Sequence, residues 1–136
     1  MTPARPARIL VVDDNRDIVF VLESLLTHLG HTVLIARDGA EAIAMATCEP
    51  PDLVLLDLDM PVVDGWEACR RLRAMPKTRN LAIVAMSAHA LIGDQEKALT
   101  AGLDDFISKP FDPVSTVEKI SQLLAKAQGH QEMPAA

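Results

Sequence analysis

The chain has 136 residues, of which 49% are hydrophobic, and its formal net charge is -6. This length fits one domain with a buried core, and the negative charge disfavours direct binding to nucleic acid or to an anionic membrane surface. The N-terminal arginines lack the apolar segment of a secretory signal, and no apolar run approaches the ~18 residues of a membrane span. Cys48 and Cys69 lack metal-binding spacing, so we expect reduced thiols in a soluble, cytoplasmic protein.

The first half of the chain predicts two strands, each followed by a helix. An apolar run over residues 9–12 precedes a helical stripe that ends at Gly30, because glycine readily takes the left-handed conformation found after a helix. A second apolar run over residues 33–36 precedes Asp38 and Glu41, which have the spacing of a capping box at a helix start.

The second half repeats this pattern three times. Apolar runs over residues 53–56, 82–86 and, more weakly, 103–107 predict strands, because continuous apolar runs suit parallel strands buried on both faces. The helix starts and stops in this half are predicted by Asp64 with Glu67, by the pattern over residues 91–101 before Gly102, and by Asp112 with Pro113. The order predicts an α/β fold, a doubly wound five-stranded parallel sheet over residues 7–128, with loose ends at 1–6 and 129–136.

Polar residues come at the ends of the predicted strands. Asp13 and Asp14 follow the first strand, Asp57 the third and Ser87 the fourth, and Lys109 lies just past the fifth. The carboxyl ends of parallel strands share one edge of the sheet, where open α/β sheets bind their ligands. In the flavodoxin-like strand order 2-1-3-4-5, the switch point lies between strands 1 and 3, so the three aspartates would meet there.

This set of residues predicts a specific chemistry. Three carboxylates in one crevice repel each other, and a hard divalent cation such as Mg²⁺ removes that repulsion. Lys109 offers a positive charge to a phosphate oxygen, and Ser87 offers a hydroxyl donor. The combination describes a phospho-aspartate site with Asp57 as the nucleophile.

Four motifs in this order resemble the receiver domain of two-component response regulators over roughly residues 7–125: LVVDD, LLDLDMPVVDG, MSAHA and ISKPF. The resemblance implies that Asp57 is the phosphoacceptor. It also implies that Asp14 and Asp57 bind Mg²⁺, for which Mn²⁺ can substitute, while Asp13 acts through a water and Asp59 through its backbone carbonyl.

The same resemblance implies a switch and a function. Ser87 and Phe106 would be the switch residues, and Lys109 would bind the phosphoryl group. A sensor histidine kinase or a histidine phosphotransfer protein would phosphorylate this single-domain regulator, which we expect to be a signalling module and no turnover enzyme. A downstream protein would read the face formed by the helix over residues 91–101, the fifth strand and the helix after Pro113, without direct nucleic-acid binding or membrane insertion.

Two alternatives remain open. The DLDMP segment also resembles motif I of the haloacid-dehalogenase phosphatases, in which the first aspartate is the nucleophile and the second the general acid. In that family the motif lies on the first strand and an acidic pair comes last, whereas here the pair Asp13 and Asp14 comes first. The other alternative is a receiver that acts as a binding adaptor without phosphorylation.

Taken singly, several of these residues have a simpler interpretation. Asp14 could cap the first helix, and Asp59 and Asp64 are expected to be loop or cap residues whose side chains do no chemistry. The histidines His28, His31 and His130 show no ligand spacing and are expected at the surface. The assignment of a shared site therefore depends on the fold bringing these residues to one edge.

Overall fold

The computed structural model describes residues 6–59, 65–87, 100–108 and 112–132, with side chains as far as residue 125. Within these ranges, five strands and four helices follow one another along the chain. The strands are β1 (Arg8–Val12), β2 (Thr32–Ala36), β3 (Leu53–Asp57), β4 (Ala82–Ser87) and β5 (Asp105–Ser108). The helices are α1 (Arg16–His28), α2 (Gly39–Cys48), α3 (Gly65–Ala74) and α4 (Pro113–Glu132).

All neighbouring strands are parallel, and their order in the sheet is β2-β1-β3-β4-β5. The predicted doubly wound sheet is therefore confirmed. Successive residues of the central strands enter different hydrophobic clusters because side chains alternate between the two faces of a sheet. One cluster packs the sheet against α2 and α3, and the other packs it against α1 and α4. Burial on both faces explains why the strands read as continuous apolar runs.

Two element boundaries differ from the predicted ones. Strand β5 begins at Asp105, because the Asp104 backbone N–H donates to the Ile83 carbonyl at 2.7 Å and the Asp104 carboxylate accepts the Ile83 N–H at 2.7 Å. Helix α4 continues to Glu132, so residues 129–132 of the predicted loose tail are helical; after Pro113 at the helix start, the next proline is Pro134. Most of the helix predicted over residues 91–101 lies outside the described residues, as do residues 1–5 and 133–136.

The helix caps follow local side-chain chemistry. Asn15 caps α1, because its side chain accepts the backbone N–H groups of Asp17 and Ile18, so the alternative that Asp14 is the cap was wrong. Asp38 caps α2 as predicted, accepting the Glu41 N–H at 2.8 Å. Gly30 follows α1 with φ 94°, the left-handed conformation predicted for a helix stop.

The expectation that His31 lies at the surface was wrong. Its side chain is buried at the amino edge of the sheet, where Nδ1 accepts the Ala7 backbone N–H at 3.0 Å. Burial lowers the pKa of His31, and the nearby Asp52 carboxylate partly opposes that shift. The neutral imidazole therefore acts as a buried hydrogen-bond acceptor that ties the start of β1 to β2.

Arg73 on α3 connects three parts of the same edge. Its guanidinium donates to the carbonyls of Gly102 at 2.9 Å, Arg79 at 2.7 Å and Leu81 at 2.6 Å, and to the Asp104 carboxylate at 2.9 Å. The planar fork of donors suits this set of acceptors. The side chain thus fixes the end of α3, the approach to β4 and the approach to β5 relative to one another.

The described chain contains no helix that is long and apolar enough to cross a membrane. Cys48 is exposed and Cys69 is buried, and both are free thiols as predicted. Burial raises the pKa of the Cys69 thiol, which keeps it protonated and unreactive.

Candidate functional site

The structure brings Asp13, Asp14 and Asp57 together at the carboxyl edge of the sheet. Asp13 and Asp14 follow β1, and Asp57 is the last residue of β3, which is paired directly with β1. One carboxylate oxygen from each residue can be chosen so that all three atoms lie within 4.8 Å of one another. Asp13 and Asp57 are buried, whereas Asp14 is exposed, so the cluster is open to solvent on one side.

This donor set fits a hard divalent cation. Three carboxylates this close repel each other, and hard oxygen ligands are those that Mg²⁺ prefers. One oxygen of Asp13 already accepts the Asn15 backbone N–H at 2.9 Å, which fixes the orientation of that carboxylate. The exposed Asp14 leaves room for the waters that Mg²⁺ usually retains.

The backbone around Asp57 is held on both sides. The β3–β4 ladder pairs Asp57 with Met86, and the next residue extends it, because the Leu58 N–H donates to the Met86 carbonyl at 2.9 Å. Gly65 at the start of α3 packs directly on this turn; a Cβ there would lie 2.7 Å from the Leu58 Cα and would also clash with the Asp57 carbonyl. The carboxylate of Asp57 is therefore attached to a rigid part of the sheet.

Ser87 ends β4 beside this site and is buried. Its hydroxyl donates to the Asp59 carboxylate, with distances of 3.1 Å and 3.3 Å to the two oxygens. The Asp59 backbone N–H in turn donates to Oδ1 of Asp57 at 2.9 Å. Sequence reasoning missed the contact between Ser87 and the Asp59 side chain, because no spacing signal relates a loop residue to the end of another strand.

Phe106 lies on β5 opposite Ala85 of β4 and is buried in the cluster on the α2–α3 side of the sheet. Lys119 of α4 contacts the same strand, donating to the Phe106 carbonyl at 3.2 Å and pairing with Asp105 at 3.3 Å. Lys109, the predicted phosphate-binding residue, lies outside the described residues, as does Asp64.

A cleft of about 420 Å³ adjoins the carboxylates on the side of α1 and β2. Asp13 and Asp14 form one wall, and Arg16, Arg37 and Phe20 contribute to the rest. Phe20 on α1 is 63% exposed, whereas phenylalanine rings are most often buried. The spacing of the sequence gave no sign of this cleft, because its walls come from separate elements.

The family model of the response regulator receiver domain matches residues 9–121. Response regulator PleD of Caulobacter vibrioides is 42% identical over 117 residues, covering 86% of this chain and 26% of that protein. The chain spans about a quarter to a half of the length of the curated relatives it matches.

Solved receiver structures have the same fold. The receiver domain of sensor histidine kinase PA1611 from Pseudomonas aeruginosa, with a magnesium ion coordinated in its active site cleft, is 36% identical with a TM-score of 0.79, covering 90% of this chain and 99% of that one. Chemotaxis protein CheY4 of Vibrio cholerae is 26% identical with a TM-score of 0.82, covering 88% of this chain and 100% of that one.

Proposed function

Because this chain belongs to the response regulator receiver domain family, we propose that Asp57 accepts a phosphoryl group in two-component signalling. The observation that carries the proposal is the approach of the Asp13, Asp14 and Asp57 carboxylates to within 4.8 Å at the ends of adjacent strands. A phosphatase of the haloacid-dehalogenase type is disfavoured because the DLDMP segment begins at the end of the third strand instead of the first, and because the receiver family matches most of the chain.

The transfer exchanges one phosphorus bond for another. A carboxylate oxygen of Asp57 forms a P–O bond while the P–N bond to a donor histidine breaks, and the histidine nitrogen keeps the electron pair. Asp14, Asp57 and the Asp59 carbonyl would hold Mg²⁺ directly and Asp13 would hold it through a water, and Mn²⁺ suits the same oxygen donors. A bound cation would neutralise the charge on the reacting oxygens. Lys109 is proposed to bind a phosphoryl oxygen, and hydrolysis of the acyl phosphate ends the signal.

We further propose that the chain works as a single receiver module between two proteins. The donor would be a sensor histidine kinase or a histidine phosphotransfer protein. The output would be a protein that binds the face made of residues 91–101, β5 and α4. The buried position of Phe106 on β5 supports this choice, because a shift of that ring would alter the outer surface of the same strand.

Phosphorylation by acetyl phosphate with Mg²⁺ tests the acceptor. We expect acid-labile labelling of the wild type and none of Asp57→Asn, because an amide is not a competent nucleophile. Asp52→Asn is the matched control, since Asp52 is an exposed aspartate that binds the Arg8 backbone at the opposite edge. Full labelling of Asp57→Asn at another residue contradicts the proposal, and sustained turnover of p-nitrophenyl phosphate would favour the phosphatase.

The proposed output face has its own test. Amide exchange is measured with and without beryllofluoride and Mg²⁺, because beryllofluoride mimics the phosphoryl group on an aspartate. We expect changes within residues 88–120. Changes confined to residues 14–30 would reject the proposed face while leaving the acceptor assignment intact.

A further inference from the structure

We propose that Asp59 is a positioning residue whose carboxylate holds the Ser87 hydroxyl away from the phosphoryl site. The inference rests on the proposed function, because it concerns the hydroxyl that the phosphoryl group on Asp57 would recruit. In the structure that hydroxyl donates to the Asp59 carboxylate at 3.1 Å and 3.3 Å. Phosphorylation must therefore break an existing hydrogen bond before it can form the new one.

The backbone places the Asp59 carboxylate where this contact forms. The Asp59 N–H donates to Oδ1 of Asp57 at 2.9 Å, which closes a turn two residues after the acceptor. Leu58 is tied to β4 through the Met86 carbonyl at 2.9 Å, so the loop leaves the sheet directly beside Ser87. The contact thus follows from hydrogen bonds of the main chain around Asp57 itself.

A serine hydroxyl has one proton to donate, so donation to the Asp59 carboxylate competes with donation to a phosphoryl oxygen. Hydrogen bonds to a charged acceptor are stronger than neutral ones, and Ser87 is buried, with 4% of its surface exposed. Asp59 is exposed, so water can solvate its carboxylate after release. The hydrogen bond between the Ser87 hydroxyl and the Asp59 carboxylate, called the latch below, is therefore reversible. It opposes the contact between Ser87 and a phosphoryl group on Asp57 without preventing it.

The latch makes a quantitative prediction for binding of a phosphoryl mimic. Loss of the Asp59 carboxylate should strengthen binding in two ways, by freeing Ser87 and by removing a negative charge near the anion. Only the first contribution requires the hydroxyl of Ser87. A double-mutant cycle with Ser87→Ala separates the two, because the charge contribution persists when the hydroxyl is absent.

The experiment measures beryllofluoride affinity at saturating Mg²⁺ by ¹⁹F and amide NMR for the wild type, Asp59→Ala, Ser87→Ala and the double variant. We expect Asp59→Ala to bind roughly fivefold to tenfold more tightly than the wild type. In the Ser87→Ala background the same change should give about a twofold gain or less. Asp59→Asn, which loses the charge but keeps an oxygen acceptor, should gain less than Asp59→Ala.

Equal gains in the two backgrounds would overturn the latch while leaving Asp57 as the acceptor. Failure of the wild type to bind beryllofluoride with Mg²⁺ would overturn the proposed function and the latch with it. The Ser87 amide resonance provides a direct readout, since it should shift in free Asp59→Ala but much less in free Asp59→Asn. An unchanged Ser87 resonance in Asp59→Ala also contradicts the proposal.

Discussion

Replacement of Arg73 by alanine should destabilise the fold more than replacement of any neighbouring surface arginine. The guanidinium satisfies three backbone carbonyls and the Asp104 carboxylate, and these acceptors belong to two separate segments, one before β4 and one before β5. Arg73→Ala leaves the carbonyls without this donor, although the Asp104 carboxylate still accepts the Ile83 N–H. The expected result is a loose junction between α3, β4 and β5.

The size of the stability loss in Arg73→Ala depends on how far its contacts are shielded from water. Hydrogen bonds to a charged group contribute about 1.5–3 kcal/mol each when shielded from water. The Arg73 side chain is 21% exposed and that of Asp104 is 47% exposed, so solvent weakens the ion pair more than the carbonyl contacts. The four contacts share one side chain and do not add, which gives a total loss of about 3 kcal/mol.

Urea unfolding followed by circular dichroism measures this loss, provided that the dependence on urea concentration is unchanged. Arg70→Ala on the same helix is the matched control, because that side chain is 70% exposed and pairs only locally with Glu67; its effect should be far smaller. Arg73→Lys should be intermediate, since one ammonium cannot reach all four acceptors. An Arg73→Ala variant as stable as Arg70→Ala would refute the reasoning.

Three further outcomes are expected. Asp14→Ala should weaken Mg²⁺ binding about tenfold more than Asp59→Ala in calorimetric titration, since Asp59 would bind through its carbonyl; equal losses contradict the ligand set. Burial lowers the pKa of His31 in the folded protein below its ordinary 6.5. Around and below pH 6.5 the unfolded chain therefore binds more protons at this residue than the folded protein does. Stability should therefore fall from about pH 7.5 to about pH 5.5, and less so in His31→Leu; parallel profiles would exclude His31 as the cause. Gly65→Ala should cost about 3 kcal/mol through backbone overlap, against about 1 kcal/mol for the strain in Gly30→Ala, and similar urea midpoints would refute the difference.

The sheet and the carboxylate cluster were predictable because both depend on short-range patterns. Continuous apolar runs identify parallel strands, and a polar residue at the end of each run must lie at the shared edge. Asp13, Asp14 and Asp57 could therefore be grouped without coordinates. The sequence could not decide which of two adjacent residues caps α1, since Asp14 and Asn15 are both good N-cap residues. Only the direction of the chain after β1 selects Asn15.

The remaining features depend on contacts between distant segments. The Ser87 hydroxyl meets the Asp59 carboxylate across 28 residues of sequence, and Arg73 meets Asp104 across 31. His31 looked like a surface residue because its partner is the backbone of Ala7, which carries no sequence signature. Such contacts are set by how the elements pack, which residue types alone do not specify.

The burial of Asp57 also restricts the shape of any molecule that reacts with it. With 2% of its surface exposed, Asp57 is out of reach of a flat protein surface. A phosphodonor must instead be small enough to enter, or must carry its phosphoryl group on a side chain that projects from a convex surface. The burial of Asp57 thus excludes phosphodonors of the wrong shape, whatever their charge or hydrogen-bonding groups.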